Sequence, residues 1–146
     1  LSWWQLVADY WNREVRESGR GGCAHACELK TSMYLHVDEA GMRKDRIRGA
    51  IPDYMRDVPE DQQWQWVDLT LGAGPANIMS WTSSYTETGS FGAPELATAE
   101  KGHRVFEHAV EQLIGLVRWF KERPTPARRE HHATAPTVSL PLGWES

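Results

Sequence analysis

The stretch GGCAHACELKTSMYL, residues 21–35, decides how the whole chain is interpreted, because chemically active side chains are concentrated in it. Within a few turns it holds two cysteines, a histidine, a glutamate and a lysine, namely Cys23, Cys27, His25, Glu28 and Lys30. Three interpretations are open at this point: a metal site, a catalytic site, or the start of a helix.

A metal site built from this stretch alone is disfavoured. Cys23, His25 and Cys27 are soft ligands, but a structural zinc ion takes four ligands and the chain has no second pair of cysteines. Two cysteines four residues apart are not a secreted disulfide framework either. On a helix they would lie along one face without forming a natural bridge.

The catalytic interpretation depends on a helix. Its predicted range is about residues 24–36, which would place His25 and Glu28 three residues apart on one face. Histidine is the side chain best suited to proton transfer near neutral pH, and a nearby carboxylate can orient it. A histidine at a helix start is more often structural than catalytic, so the residues alone leave both interpretations open.

Composition and charge limit the classes of function. A chain of 146 residues is long enough for one domain with a real core. Its formal net charge of −4 gives no electrostatic reason to expect nucleic acid or an anionic membrane as a partner. No apolar run reaches the roughly 18–20 residues of a membrane span, and LSWWQLVADYW at the start lacks a basic leader. We therefore expect a cytoplasmic protein and, because the first residue is Leu, a fragment, a processed product or a trimmed chain.

Tryptophan is unusually frequent, with eight in the chain. Packing in a core or a subunit interface accounts for most tryptophans, because the side chain is large and needs a partner for its N–H when buried. The alternative is that one or two of them wall a pocket for a flat, polar ligand.

Hydrophobic periodicity predicts three helices. The first covers residues 5–17 and stops at the glycines of residues 18–22. The second is the helix at about residues 24–36. The third starts after Pro94 and ends before Pro124, with one wide apolar stripe from Val105 to Phe120. The remaining residues, 124–146, are expected to form an extended tail.

Strand candidates are few and short. They lie at residues 66–71 and 78–81, whereas residues 41–63 and 83–95 are expected to be irregular. An α/β layer structure needs several parallel strands at its centre. The chain is therefore either a mostly helical domain or part of an α/β fold whose sheet is largely supplied from outside the chain.

Three segments resemble the creatininase (creatinine amidohydrolase) family. The run HACELKTSMYL is similar to the HAGxxETSxML signature of that family. The run TGSFGAPELATAEKG, residues 88–102, is similar to its G-x-x-G-x-P-x-x-A-T-x-E-K-G segment before the last long helix. LSWWQLV, at the start, is a weaker match to the segment that presents a pocket tryptophan. The three occur in family order and at roughly family spacing over residues 1–120.

The resemblance implies an α/β fold with a central parallel sheet flanked by helices. It also implies metal-dependent hydrolysis of a C–N amide or formamide bond of a small molecule. Two divalent metal ions (zinc, manganese or iron) would activate a water and polarise the amide carbonyl, while a histidine handles protons. Carried over by position, His25 matches the catalytic histidine, Glu28 matches a carboxylate that many members have, and Trp4 matches the substrate-binding pocket tryptophan.

Two departures from the family pattern bear on activity. Lys30 stands where the family usually has Glu before Thr-Ser, which puts a positive charge beside a presumed metal pair, and Cys27 replaces a glycine. The family's metal ligands lie in its N-terminal half, in an E-x-H…D segment and an Asn-Gly-His segment, and neither occurs here. We therefore assign no metal ligand to this chain and expect the ligands to come mostly from outside it.

The resulting interpretation is that residues 1–123 form the C-terminal half of a creatininase-like domain, supplying mainly its C-terminal helices and a few short strands. Expected partners are a small amide substrate and a second chain that carries the N-terminal half and the metal ligands, in a hetero- or homo-oligomer. One alternative is a non-catalytic scaffold or pocket-shaping subunit. A free-standing helical binding module fits the sparse strands but not the three matches.

Overall fold

The computed structural model describes residues 1–52, 59, 64, 66, 68–72, 74–76, 81–84 and 86–126. Its elements are, in chain order, helix α1 (Trp3–Tyr10) continued by a π-helical turn (Trp11–Val15), strand β1 (Cys23–His25), helix α2 (Glu28–Val37), strand β2 (Phe91–Gly92) and helix α3 (Ala99–Glu122). Short 3₁₀ turns lie at Lys44–Arg46, Thr82–Ser84 and Pro94–Leu96. Among these described elements, no helix combines the length and apolarity of a membrane span.

Helix α1 is amphipathic and contributes one side of the core. Val7, Trp11 and Val15 recur every four residues, so they share one face, and all three are buried. The core is completed by four side chains from the other elements: Cys23, Cys27, Leu29 and Val105. The predicted first helix is confirmed, with bounds of Trp3 and Val15 in place of residues 5 and 17.

Helices α2 and α3 approach each other closely at Gly102. A Cβ at this position would lie 1.9 Å from the backbone oxygen of Ser32, so only glycine permits this contact. The start of α3 is tied to α2 as well, because the Thr98 N–H donates to Ser32 Oγ (3.2 Å). The Thr98 hydroxyl caps α3 by accepting from the Lys101 N–H (3.1 Å). The predicted helix between Pro94 and Pro124 is confirmed.

The predicted start of the second helix is wrong. Residues Cys23–His25 form a strand antiparallel to β2, with Cys23 opposite Gly92 and His25 opposite Phe91. Ala26 then turns the chain with a φ of 46°, and α2 begins only at Glu28. Because His25 lies on the strand and Glu28 on the helix, the expected shared helical face does not exist.

The predicted central parallel sheet is not found in the residues described, whose one sheet is the two-stranded antiparallel pair of β1 and β2. The Trp66 N–H donates to the Ala76 carbonyl (2.8 Å), but residues 69–71 of the predicted strand at 66–71 form a turn. The cause is Asp68, whose Oδ1 accepts from the N–H groups of Thr70 (3.0 Å) and Leu71 (3.2 Å) and folds the chain. Most of the predicted strand at 78–81 and most of the tail at 124–146 lie outside the described residues.

A buried ion pair attaches this turn to the end of α1. Arg16 donates to both carboxylate oxygens of Asp68, at 3.0 and 2.7 Å, and both side chains are almost fully buried. Arg16 Nε also donates to the Ser18 carbonyl (2.7 Å), and Leu69 N–H donates to the Cys23 carbonyl (2.8 Å). The bidentate geometry is the strong form of an Arg–carboxylate pair. The Arg16–Asp68 pair therefore fixes the segment between α1 and β1.

Candidate active site around His25

His25 is presented at a turn between a strand and a helix. It is the last residue of β1, its side chain is exposed, and Ala26 and Cys27 separate it from α2. Antiparallel pairing with Phe91 fixes its backbone. Proton transfer to or from a bound molecule requires a positioned side chain within hydrogen-bond reach of it, and an exposed imidazole on a fixed backbone is open to such a molecule.

Glu28 occupies a different environment from His25. The side chain is fully buried, and its carboxylate accepts from the N–H groups of Glu17 (3.1 Å) and Ser18 (2.9 Å) and from Lys101 Nζ (2.5 Å). Burial alone would raise the pKa of Glu28, but these hydrogen bonds outweigh it and lower the pKa below the ordinary value. The Glu28 carboxylate therefore links the start of α2 to the segment of Glu17 and Ser18 and to Lys101 on α3. Glu28 lies two residues after Ala26, the turn residue that follows His25.

Lys101 is the partner of Glu28, and the sequence did not reveal this pair. Its ammonium also donates to the Leu96 carbonyl (2.6 Å) and pairs with Glu17 at 2.9 Å. Burial alone would lower the pKa of Lys101, whereas the contacts with Glu28 and Glu17 outweigh that effect and raise it. The one available signal was the position of Lys101 in the matched ATAEKG run, next to the close-contact Gly102.

Trp4 lies beside Lys30. The Lys30 ammonium is 5.5 Å from the centroid of the half-buried Trp4 ring, within the range of a cation–π contact. Trp3 packs edge-on against Trp4, with ring centroids 6.2 Å apart. Lys30, which departs from the family pattern, thus contacts Trp4, which matches the pocket tryptophan.

The two cysteines are free, buried and adjacent, with their sulfur atoms 3.6 Å apart. The hydrogen bond between the two thiols lowers the pKa of Cys27 to about 7; burial opposes this, and the N–H groups of Lys30 and Leu29 support it. The same sulfur contact, together with burial, raises the pKa of Cys23. Cys27 is the residue immediately before α2, a position at which a helix dipole favours a thiolate.

The described residues do not fit a two-metal centre. Among them, no group of three or more histidine, cysteine, aspartate or glutamate side chains is arranged to hold a metal ion. The Glu28 carboxylate is occupied by Lys101, and both cysteine side chains are fully buried. The His25 side chain is exposed, and it makes no hydrogen bond or ion pair with another described residue.

Comparison with known proteins supports one relationship. No curated protein and no solved structure matches the chain. The family model described as "Creatininase: Creatinine amidohydrolase" matches residues 1–117, which include Trp4, His25, Glu28 and most of α3. The match covers most of the chain and confirms the resemblance seen in the three segments. The chain therefore belongs to the creatininase (creatinine amidohydrolase) family.

Proposed function

We propose that this chain is the C-terminal half of a metal-dependent amidohydrolase that hydrolyses a C–N amide or formamide bond of a small molecule. In this proposal residues 1–123 form the half-domain and residues 124–146 an extended tail. A second chain supplies the N-terminal half of the fold, with the sheet and most ligands of the divalent metal ions (zinc, manganese or iron). The assembly is a cytoplasmic hetero- or homo-oligomer.

The observation that carries the proposal is the placement of His25. The imidazole is exposed, whereas the turn beneath it is held by β1–β2 pairing on one side and by the Glu28–Lys101 pair on the other. A general acid or base must be held in position before the substrate arrives. His25 would move a proton to or from the reacting group, and Glu28 would act as a positioning residue through the fold of the turn.

An unpartnered apolar face supports the presence of a second chain. Six large side chains along α3 are between 37% and 68% exposed: Phe106, Val110, Leu113, Ile114, Val117 and Phe120. Three of them, Phe106, Val110 and Leu113, border a groove of about 500 Å³ together with Leu1, Trp3, Leu6, Met33 and Ala109. Soluble monomers rarely expose apolar patches of this kind, so the face is expected to be covered by sheet or by partner surface.

Steady-state kinetics on the assembled complex test the role of His25, with a panel of small amides and formamides as substrates. His25→Ala should lower kcat by roughly 10²–10⁴-fold, the usual contribution of a positioned general acid or base. Trp4→Ala should mainly raise KM if Trp4 walls the pocket. His103→Ala is the matched control, because His103 is an exposed histidine on α3, and it should leave kcat unchanged.

The second candidate function is a non-catalytic scaffold or pocket-shaping subunit. Lys30 favours it, because a positive charge beside a presumed metal pair opposes cation binding and the ammonium already contacts Trp4. The two candidates separate on one variant. If His25→Ala leaves turnover intact but lowers the melting temperature of the complex, the histidine is structural and the scaffold function holds.

A further inference from the structure

A second recess lies directly beside His25 and has a different character from the apolar groove. It is a cleft of about 250 Å³. Ala26, the residue after His25, lines it together with three arginines (Arg43, Arg46 and Arg48) and three hydroxyl side chains, those of Thr31, Thr88 and Ser90. Ligand pockets for whole drug-sized molecules measure roughly 300–1,000 Å³, so this cleft is sized for a compact group.

The electrostatic character of the cleft is positive. Among the described residues that line it, none has a carboxylate side chain, although the whole protein carries a formal net charge of −4. Arg43, Arg46 and Arg48 are exposed, and none of the three guanidinium groups makes a side-chain hydrogen bond or ion pair within the part of the chain that the structure describes. This differs from Arg16, whose guanidinium is fully occupied by Asp68 and its neighbours. Three guanidinium groups without a partner among the described residues repel each other around one recess, and an anion bound between them would offset that repulsion.

Backbone contacts hold the arginine segment in position. Ser90 Oγ donates to the Arg48 carbonyl (2.6 Å) and is bonded to Thr88 Oγ1 (2.8 Å). Two residues further on, Ala50 and Gly92 exchange backbone hydrogen bonds of 3.1 and 2.8 Å. The segment that carries the arginines is therefore attached to β2, the strand that pairs with His25. A site assembled before binding loses less conformational entropy when its ligand arrives.

We propose that this cleft binds a compact oxyanion, a carboxylate or a phosphate, carried by the substrate. Guanidinium groups match both anions because their paired N–H donors fit two oxygens at once. Because Ala26 directly follows His25 in the chain, the proposal is that one small molecule extends from the cleft to His25, with its anionic group in the cleft and its reacting amide at the histidine. The link to the substrate rests on the proposed function, and it names the substrate class as amides that carry an anionic group.

Binding is tested first, without turnover. Isothermal titration calorimetry on the full chain compares inorganic phosphate with acetate against a chloride background of constant ionic strength. We expect saturable binding of at least one of them, and the tighter one tells whether the site prefers phosphate or carboxylate. Arg46→Gln and Arg48→Gln should each weaken that binding about tenfold, the effect of losing one charge-assisted hydrogen bond.

Arg118→Gln is the matched control, because Arg118 is an exposed arginine on α3 outside the cleft. It should leave the affinity unchanged, whereas an equal loss there would show that only the general charge matters. Thermal melts confirm that each variant is folded. The inference is overturned if neither anion binds saturably, or if the cleft variants bind as well as the unmodified protein.

Kinetics on the assembled complex then separate this inference from the proposed function. N-formylglycine and formamide form the substrate pair, since only the first carries a carboxylate. Arg46→Gln should raise KM for N-formylglycine about tenfold and leave formamide hydrolysis unchanged. Equal effects on both substrates would refute the substrate link while amidohydrolase activity stands. A complex without any hydrolysis would refute the proposed function, and the calorimetry would still decide the anion site.

Discussion

Replacing Lys101 with methionine is expected to destabilise the protein strongly. The Lys101 ammonium lies 2.5 Å from the Glu28 carboxylate, whose side chain is fully buried, and the lysine side chain is only 9% exposed. Methionine keeps most of the apolar stem but removes the charge, so the carboxylate remains buried without its cation. Breaking a buried pair in this way costs about 3–5 kcal/mol in the free energy of unfolding.

The matched control is Lys44→Met. Lys44 pairs with Glu39, but both side chains are more than half exposed, at 57% and 56%. Exposed pairs contribute about 0–1 kcal/mol, so this variant should unfold almost as the unmodified protein does. Urea denaturation at pH 7, followed by far-ultraviolet circular dichroism, measures both free energies.

A double-mutant cycle identifies the pair as the cause. Adding Glu28→Gln to Lys101→Met removes the unpaired charge, so the double variant should lose less stability than the sum of the two single losses. The reasoning is refuted if Lys101→Met costs no more than Lys44→Met, or if the two losses simply add.

The same pair predicts how stability depends on pH. The lowered pKa of Glu28 means that its contribution is present above the ordinary value of 4.5 and is lost as the pH falls through the folded-state pKa. The raised pKa of Lys101 means that its contribution is present below 10.5 and is lost as the pH rises through the folded-state value. Glu28→Gln should therefore flatten the acid side of the stability profile, measured by urea denaturation between pH 3 and pH 7. An unchanged acid side would contradict the assignment.

Three further predictions concern packing. Gly102→Ala should destabilise the protein by more than about 2 kcal/mol, because the added Cβ would lie 1.9 Å from the Ser32 backbone oxygen. Gly115→Ala, on the same helix with open space around it, should instead stabilise the protein by up to about 1 kcal/mol, and thermal melts compare the two variants. Trp11→Phe should lower the free energy of unfolding by about 1–2 kcal/mol, less than most large-to-small substitutions of a buried aromatic side chain. The loss is small because the substitution also removes a buried indole N–H that has no partner in the described structure. Urea denaturation measures this free energy. The chain expressed alone should self-associate through the apolar face of α3. Leu113→Glu should shift it toward the monomer, as measured by analytical ultracentrifugation. An unmodified chain that is already monomeric would count against the half-domain proposal.

Local patterns in the sequence predicted helices α1 and α3 well. Helix α3 has a continuous apolar stripe between Pro94 and Pro124, and α1 repeats apolar residues before the glycines of residues 18–22. Such signals depend only on neighbours within one or two helical turns, so they survive in any tertiary context. The family was predicted from three short runs, and the match over residues 1–117 confirmed it.

The same reasoning failed where distant parts of the chain decide the local structure. Residues 23–25 were predicted to start a helix, but pairing with β2, far along the chain, makes them a strand. The turn at Asp68 likewise replaced a predicted strand, because Arg16 and the Asp68 carboxylate stabilise the folded loop. Short apolar stretches have weak local preferences, so long-range hydrogen bonds and ion pairs determine their conformation.

For the candidate site, the sequence by itself determined the family, the presence of His25 and the departure at Lys30. Only the tertiary structure decided what surrounds them. It separated His25 from Glu28, joined Glu28 to Lys101 across 73 residues of chain, and gathered Arg43, Arg46 and Arg48 around one cleft beside Ala26. Sequence motifs record which residue types are present at a given spacing. The burial, charge pairing and cleft shape that determine their chemistry arise only when segments far apart in the chain pack together.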